Sequence, residues 1–288
     1  MKDKPLVSVI VITKNSEKTL YECLESVKRQ TYKNIELIVV DNYSTDRTRD
    51  IAREFGARVY VKGPERSSQM NYGARVAKGD YLYFMGSDFV LTSGLIEECV
   101  SLMEQGYDAV IVWNVSDPSK SLWAKTRFYE RLSYYGSGTY EGARFVKREL
   151  FFNVGGFDEE IFANEDIAFG RKLLKAGVKI GRTRHNYELH IGEPRSLKEI
   201  VIKTYYYGAS VKSYFTKYKD YSFALPIRPT FFRRNFLKTL KRWPAGFLLI
   251  PFLKIFQAVI YLIGCIVKPT ISPYEKSKET DSISSKIS

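Results

Sequence analysis

Three apolar runs that each stop abruptly on polar residues constrain this chain more than any other feature. Leu6 to Thr13 reads LVSVIVIT, Ile35 to Val40 reads IELIVV, and Tyr81 to Met85 reads YLYFM. All three are short, almost wholly apolar and rich in β-branched or aromatic residues, as strands covered on both faces should be. Asn15-Ser16 opens a helical pattern to Gln30 with Leu20, Leu24 and Val27 at helical spacing. A second helix is expected over Thr48 to Phe55, stopped by Gly56, before a short strand at Arg58 to Val61. Strand, helix, strand, helix, strand predicts a parallel sheet with right-handed crossovers.

Open sheets of this kind bind ligands outside the carboxyl ends of their strands. The polar stops at those ends are Thr13 to Asn15, Asp41 to Ser44, and Ser87-Asp88. Three such ends on one crevice suggest a nucleotide site, with Asp88 the first carboxylate to test, although Gly86-Ser87-Asp88 is also a good turn sequence. No Gly-x-Gly-x-x-Gly follows the first strand and no Walker A motif occurs, so the phosphates need a different anchor. A carboxylate acting through a divalent cation is the obvious one, with Arg66 and Arg75 as further partners for phosphate or carboxylate.

Further along, a helix is expected over Leu95 to Gln105 and a strand over Ala109 to Trp113. A polar break at Ser116 to Ser119 marks a change of subregion. Trp123 to Tyr135 reads as a basic and aromatic helix, and Gly142 to Val146 as a strand. After the turn Gly155-Gly156-Phe157-Asp158, Asn164-Glu165-Asp166 precedes a helix with Phe169, Leu173 and Ala176 on one face. Acidic residues in a first turn gain about 0.3 to 1 kcal/mol from the helix dipole, which suffices to explain the pair. Being adjacent, they also point in different directions and suit two separate tasks. A short strand is expected at Val178 to Ile180 and a helix at Ser196 to Phe215. The two histidines, His185 and His190, are either structural or able to join a carboxylate as metal ligands.

The net charge is +13, and between Arg195 and Lys254 there are 13 Lys or Arg against only Glu199 and Asp220. That asymmetry implies an anionic partner, nucleic acid or membrane. Residues 245–267 carry one charge, Lys254, and one interior proline, Pro251. The stretch is long enough to cross a bilayer at about 20 residues, yet it also suits a kinked helix lying at the interface or a buried C-terminal helix. Just before it, Phe231, Phe232, Phe236 and Leu240 mix with Arg233, Arg234, Lys238, Lys241 and Arg242, a composition attracted to an anionic cytoplasmic leaflet. Membrane attachment is therefore expected, and nucleic acid is not. Cys23, Cys99 and Cys265 have no disulfide-scaffold or zinc spacing. The opening MKDKPLVSVIVITKN reads as a core strand and not as a signal peptide, so the chain is expected to begin in the cytosol.

Taken together, VSVIVITKN at 7–15, VVDNYSTDRT at 39–48, Met70 to Arg75 leading into AKGDYLYFMGSDF at 77–89, VGGFDE at 154–159 and NEDIAFGRKLLKAG at 164–177 resemble the inverting nucleotide-sugar glycosyltransferases of family 2. The resemblance spans about residues 5–215. It implies the GT-A fold, an α/β architecture with a Rossmann-like, mostly parallel sheet and flanking helices. It further implies a glycosyltransferase domain over 1–220, with a nucleotide-sugar half at 1–115 and an acceptor half at 116–220. A membrane-attachment region at 221–270 and a disordered tail at 271–288 complete the expected organisation.

By the same resemblance, Thr13, Asn15, Asp41, Arg66, Ser87 and Asp88 would hold the nucleotide-diphosphate sugar. The family's Asp-x-Asp motif stands here as Gly86-Ser87-Asp88, so its first acidic position is missing. Asp88 and His190 would hold Mg²⁺ or Mn²⁺, Asp166 would be the catalytic base, and Glu165 its neighbour near the acceptor. Arg127, Arg131 and Arg144 are candidates for an acceptor phosphate. The expected acceptor is membrane-presented, on the cytoplasmic face: the glycan of a lipid-linked saccharide or, alternatively, a polyprenyl phosphate. A membrane adaptor without enzymatic activity is the remote alternative.

Overall fold

A computed structural model of the chain describes residues 4–136, 142–161, 164–218 and 234–267. Phe231, Phe232, Arg233 and the tail expected from 271 lie outside these residues. The chain begins as its apolar runs dictate: β1 (Val7–Thr13), α1 (Glu17–Lys28), β2 (Ile35–Asp41), α2 (Thr48–Glu54), β3 (Arg58–Val61), α3 (Arg66–Val76) and β4 (Tyr81–Gly86). β1 pairs in parallel with both β2 and β4, and β2 with β3. Then follow β5 (Phe89–Leu91), α4 (Leu95–Glu104), β6 (Ala109–Ile111), β7 (Asn114–Ser116), α5 (Leu122–Tyr134), β8 (Ala143–Lys147), α6 (Arg148–Asn153), α7 (Glu165–Lys175), β9 (Ile180–Arg182), β10 (Glu188–His190), α8 (Leu197–Tyr218), α9 (Arg234–Arg242) and α10 (Gly246–Ile266).

The main sheet has the order β3-β2-β1-β4-β8-β6-β9, with β8 antiparallel to both neighbours. Both of its faces are buried, which is why the first strands carry no polar alternation. Val7, Val9 and Val11 pack with Leu20, Leu24, Leu95 and Cys99 on one side. Ile10 packs with Ile38, Met70, Ala74, Phe169 and Leu173 on the other. Helix α3 can lie this close because residue 73 is glycine: a Cβ there would sit 2.4 Å from Ile10 Cγ2. Register brings the polar strand ends to one edge, since Thr13 lies opposite Asp41 and Ile12 opposite Gly86.

A second, three-stranded sheet of order β5-β10-β7 stands at that edge. It differs from the sequence expectation, in which 109–113 formed one strand. The register shifts between Val110 and Ile111, β6 ends, and β7 joins the small sheet beside β10. The strand expected at 178–180 lies at Ile180–Arg182, where it pairs in parallel with β6. Strands of three residues are too short for alternation to reveal them.

Of residues 245–267, Gly246–Ile266 form one helix, α10, the single one among the described residues with the length and composition to cross a membrane. Its inner face, including Ile250, Leu253, Ala258 and Tyr261, is buried, while its other face is exposed and apolar.

The carboxyl ends of β1 and β2 are tied by one buried side chain. Gln69 Nε2 donates to the carbonyls of Thr13 (3.0 Å) and Val40 (2.7 Å). Replacing a buried hydrogen-bonding group strands its partners at about 1–3 kcal/mol each. Gln69→Leu should therefore lower the urea unfolding free energy by at least that amount; an unchanged midpoint would refute the tie.

Candidate active site

The candidate site lies where the carboxyl ends of β1, β2 and β4 approach β10, α5 and α7. Asp41, fully buried, accepts from Thr13 Oγ1 (2.8 Å), Ser44 Oγ (2.5 Å) and the Ser44 amide (2.8 Å), and its carboxylate lies 3.8 Å from Arg49 Nε. It thus shapes the loop after β2. Asn15, at φ +47°, joins that loop through its amide to Ser44 Oγ (2.7 Å) and through its side-chain oxygen to the Thr45 amide (2.9 Å). Ser87 Oγ donates to Ser16 Oγ at 2.7 Å. Of the residues expected around a nucleotide, Thr13, Asn15, Asp41 and Ser87 are linked in this way, with Thr13 and Asp41 covered and Asn15 at the surface, whereas Arg66 pairs with Glu165.

Asp88 is met by β10. Its Oδ2 lies 2.9 Å from His190 Nε2, and its side chain is 35% exposed. Burial works to raise its pKa, but the hydrogen bond and charge of His190, with Lys203 adding, hold it below the usual carboxylate value. Two glycines make room. A Cβ on Gly192 would lie 2.3 Å from Asp88 Oδ2, and one on Gly86 2.9 Å from Oδ1. The other imidazole nitrogen, Nδ1, lies 3.0 Å from Glu193 Oε1, and the ring stacks on Phe89 with centroids 4.6 Å apart. His185 is not part of this arrangement; its amide donates to Glu98.

The three arginines expected at an acceptor phosphate face inward instead. Arg131 Nη2 lies 2.5 Å from Glu193 Oε1, and Arg127 Nε 3.7 Å from Glu193 Oε2. Arg144 pairs with the fully buried Glu188, which also accepts from Tyr83 and Asn114. A guanidinium already neutralised by a buried carboxylate has little charge left for an incoming phosphate. Burial opposes the ionisation of Glu193, yet Arg127, Arg131 and His190 hold its pKa well below the usual value. Sequence reading passed over Glu193 and Glu188, although Glu193 stands three residues after His190 and Arg127 and Arg131 are one helical turn apart.

Glu165 and Asp166 open α7 behind Asn164, at φ +65°. They do diverge. Glu165 is buried with its oxygens 3.3 Å from Arg66 Nη2. Burial raises its pKa, Arg66 opposes, and Asp166 adds to the rise. Asp166 turns toward β8, where a Cβ on Gly142 would lie 2.8 Å from its own Cβ. Burial lowers the pKa of Arg144, and the negative charges of Asp166 and Asp88 act against that fall.

Among the described residues no cluster of three or more His, Cys, Asp or Glu is arranged to hold a metal. Asp88 and His190 nonetheless fit a hard cation that keeps only one or two protein ligands and completes its shell with water and phosphate oxygens. Their facing donors are 2.9 Å apart, and Asp88 has an open side.

The fold is that of the GT-A class. The sequence profile of glycosyl transferase family 2 matches residues 8–158, more than half of the chain, and the chain belongs to that family. A mannosyltransferase from Pyrobaculum calidifontis, solved in complex with GDP-Man and Mn²⁺, shares the fold with TM-score 0.59 and 20% identity, over 98% of this chain and 81% of that one. A UDP-Glc:alpha-D-GlcNAc-diphosphoundecaprenol beta-1,3-glucosyltransferase from Escherichia coli is 37% identical over 106 residues, 34% of this chain and 41% of that protein. A dolichyl N-acetyl-alpha-D-glucosaminyl phosphate 3-beta-D-2,3-diacetamido-2,3-dideoxy-beta-D-glucuronosyltransferase from Methanococcus voltae is 24% identical over 277 residues, 84% of this chain and 78% of that protein. The chain spans between 33% and 64% of the length of three other curated relatives that it matches.

A carboxyl depressed in the folded state contributes stability that is present above its unfolded pKa, here 4.5, and is lost as pH falls through the folded value. Glu193→Gln should therefore cost about 3–5 kcal/mol at neutral pH, the magnitude for breaking a buried pair from one side. The gap to the unmodified protein should narrow in urea melts taken below about pH 4. An equal gap at both pH values would show that Glu193 is not the group that titrates.

Proposed function

We propose that the chain is an inverting glycosyltransferase that moves a sugar from a nucleotide-diphosphate sugar to a membrane-presented acceptor, the glycan of a lipid-linked saccharide. The observation that carries this reading is the 2.9 Å contact of Asp88 with His190 at the edge of β4, with a second carboxylate, Asp166, at the start of α7 beside Gly142. The halves 1–115 and 116–220 then supply donor and acceptor sides. Family membership supports the reaction class, and the names of the two relatives acting on diphosphoundecaprenol- and dolichyl-linked saccharides support the acceptor class.

In this reading the loops after β1 and β2, shaped by Thr13, Asn15 and Asp41, receive the nucleoside, and Ser87 and Asp88 face its diphosphate. Asp88 and His190 would hold Mg²⁺ or Mn²⁺, which when bound offsets the negative charge that develops on the leaving diphosphate. Asp166 accepts the proton of the acceptor hydroxyl as the new glycosidic bond forms, and displacement from the opposite face inverts the anomeric carbon. Arg66 fixes Glu165 beside it, so Glu165 supports the acceptor side and does not compete as the base. A polyprenyl-phosphate acceptor is the weaker reading, because Arg127, Arg131 and Arg144 are each paired with a buried carboxylate. The cytoplasmic membrane face is the corresponding location.

Two variants separate the roles. Asp166→Asn should reduce transfer to a lipid extract by about 10²–10⁴-fold, the usual worth of a general base, while nucleotide-sugar binding is retained. Asp88→Asn should remove the dependence of nucleotide-sugar binding on Mg²⁺ or Mn²⁺, read by calorimetry with and without chelator. Binding that needs no cation and ignores Asp88→Asn would sink the proposed donor site.

A further inference from the structure

We propose that α10 lies in the plane of an anionic phospholipid bilayer and does not cross it, with one face against lipid and the other fastened to the acceptor side of the domain. This rests on the membrane-presented acceptor of the reading above and specifies how the chain meets that membrane. The lipid-facing side is a stripe of Leu248, Phe252, Ile255, Val259, Leu262 and Ile266, between 48% and 80% exposed. Their spacings of three or four residues put them on one face of the helix. At 1.5 Å per residue the stripe is about 27 Å long.

The one charge in the helix is removed from that stripe by the fold. Lys254 is buried, and its Nζ lies 2.5 Å from Glu130 Oε1 on α5. Read as a bare sequence, Lys254 interrupts an apolar segment; in the fold it is an internal clamp, and the outer face is left uncharged. The inner face is held as closely along α8. A Cβ on Gly208 would come 2.2 Å from the Tyr261 carbonyl oxygen, and one on Gly264 2.5 Å from that of Tyr205. The Tyr205 hydroxyl donates to the Val267 carbonyl at 3.2 Å.

These attachments decide the orientation. A helix crossing the bilayer would draw α5 and α8 into hydrocarbon with it, and they carry Lys125, Arg127, Glu130, Arg131, Lys198, Glu199 and Lys203. Charges at mid-bilayer are costly, above all those without an opposite charge beside them. Lying flat, α10 places its stripe at the headgroup and acyl boundary and leaves those charges on the watery side. The adjoining α9 supplies exposed Lys238, Lys241 and Arg242, a charge match for anionic headgroups. Two further contacts run inward from the clamp. Arg127 Nη1 lies 3.8 Å from Glu130 Oε2 and Arg127 Nε 3.7 Å from Glu193, the residue that holds His190. The lipid-facing helix and the site therefore share one set of ion pairs.

The test uses the full chain and vesicles of phosphatidylcholine with and without phosphatidylglycerol, and needs no transferase activity. In a Cys265→Ser background, nitroxides at Leu248→Cys, Val259→Cys and Ile266→Cys should report one common shallow depth, about 5–10 Å into the headgroup and acyl boundary. Binding should strengthen with phosphatidylglycerol and weaken with salt. Ile255→Glu with Val259→Glu should weaken vesicle binding about tenfold or more, with an unchanged thermal melt because both side chains face outward. A deep Val259 between shallow ends would mean a spanning helix and overturn the proposal. Absent vesicle binding, or a concentration-dependent dimer abolished by the same double substitution, would also overturn it. Failure to transfer sugar would leave these readouts untouched and would count against the proposed function alone.

Discussion

The arrangement around Asp88 and His190 depends on keeping one buried carboxylate, that of Glu193, ionised. A lone charge at its depth would be far too costly in a medium of low dielectric. Arg131 at 2.5 Å, Arg127 at 3.7 Å and Ser116 Oγ at 2.9 Å make it tolerable. Held in this way, Glu193 orients His190 through Nδ1, and His190 in turn meets Asp88 through Nε2. The geometry of Asp88 is thus decided on α5, about forty residues further along the chain. The two arginines that look from the sequence like ligand-binding groups are the supports of the site.

Backbone proximity is the second requirement. Gly192 and Gly86 crowd Asp88, and Gly142 crowds Asp166, so closely that a methyl group at any of the three would displace something. Small residues here let two loops and a strand approach two carboxylates without a wall of side chains.

The same network extends outward. Glu130 meets Lys254 of α10 on one side and Arg127 on the other. Charges that would be liabilities in isolation become a connected series in which each neutralises the next. The C-terminal helix is consequently packed as part of the domain, with its apolar side outward and its single lysine inward.

Much of this was legible in the residues alone. The near-continuous runs of β1, β2 and β4, with helical spacing between them, determine a parallel sheet with both faces buried, because only such strands can dispense with polar alternation. Their abrupt polar stops at Thr13, Asp41 and Ser87-Asp88 fall on one edge of the sheet, since these strand ends are in register. What the sequence could not determine is which charges face one another. The pairing of Glu193 with Arg127 and Arg131, of Glu188 with Arg144, and of Lys254 with Glu130 joins residues between 44 and 124 positions apart, as numbered in the chain. No local periodicity encodes such partnerships. The three-residue strands β5, β7 and β10, which carry His190 to Asp88, were likewise decided only by tertiary structure. Segments so short have no propensity of their own strong enough to fix them, and they become strands because the neighbouring sheet edge supplies their hydrogen bonds.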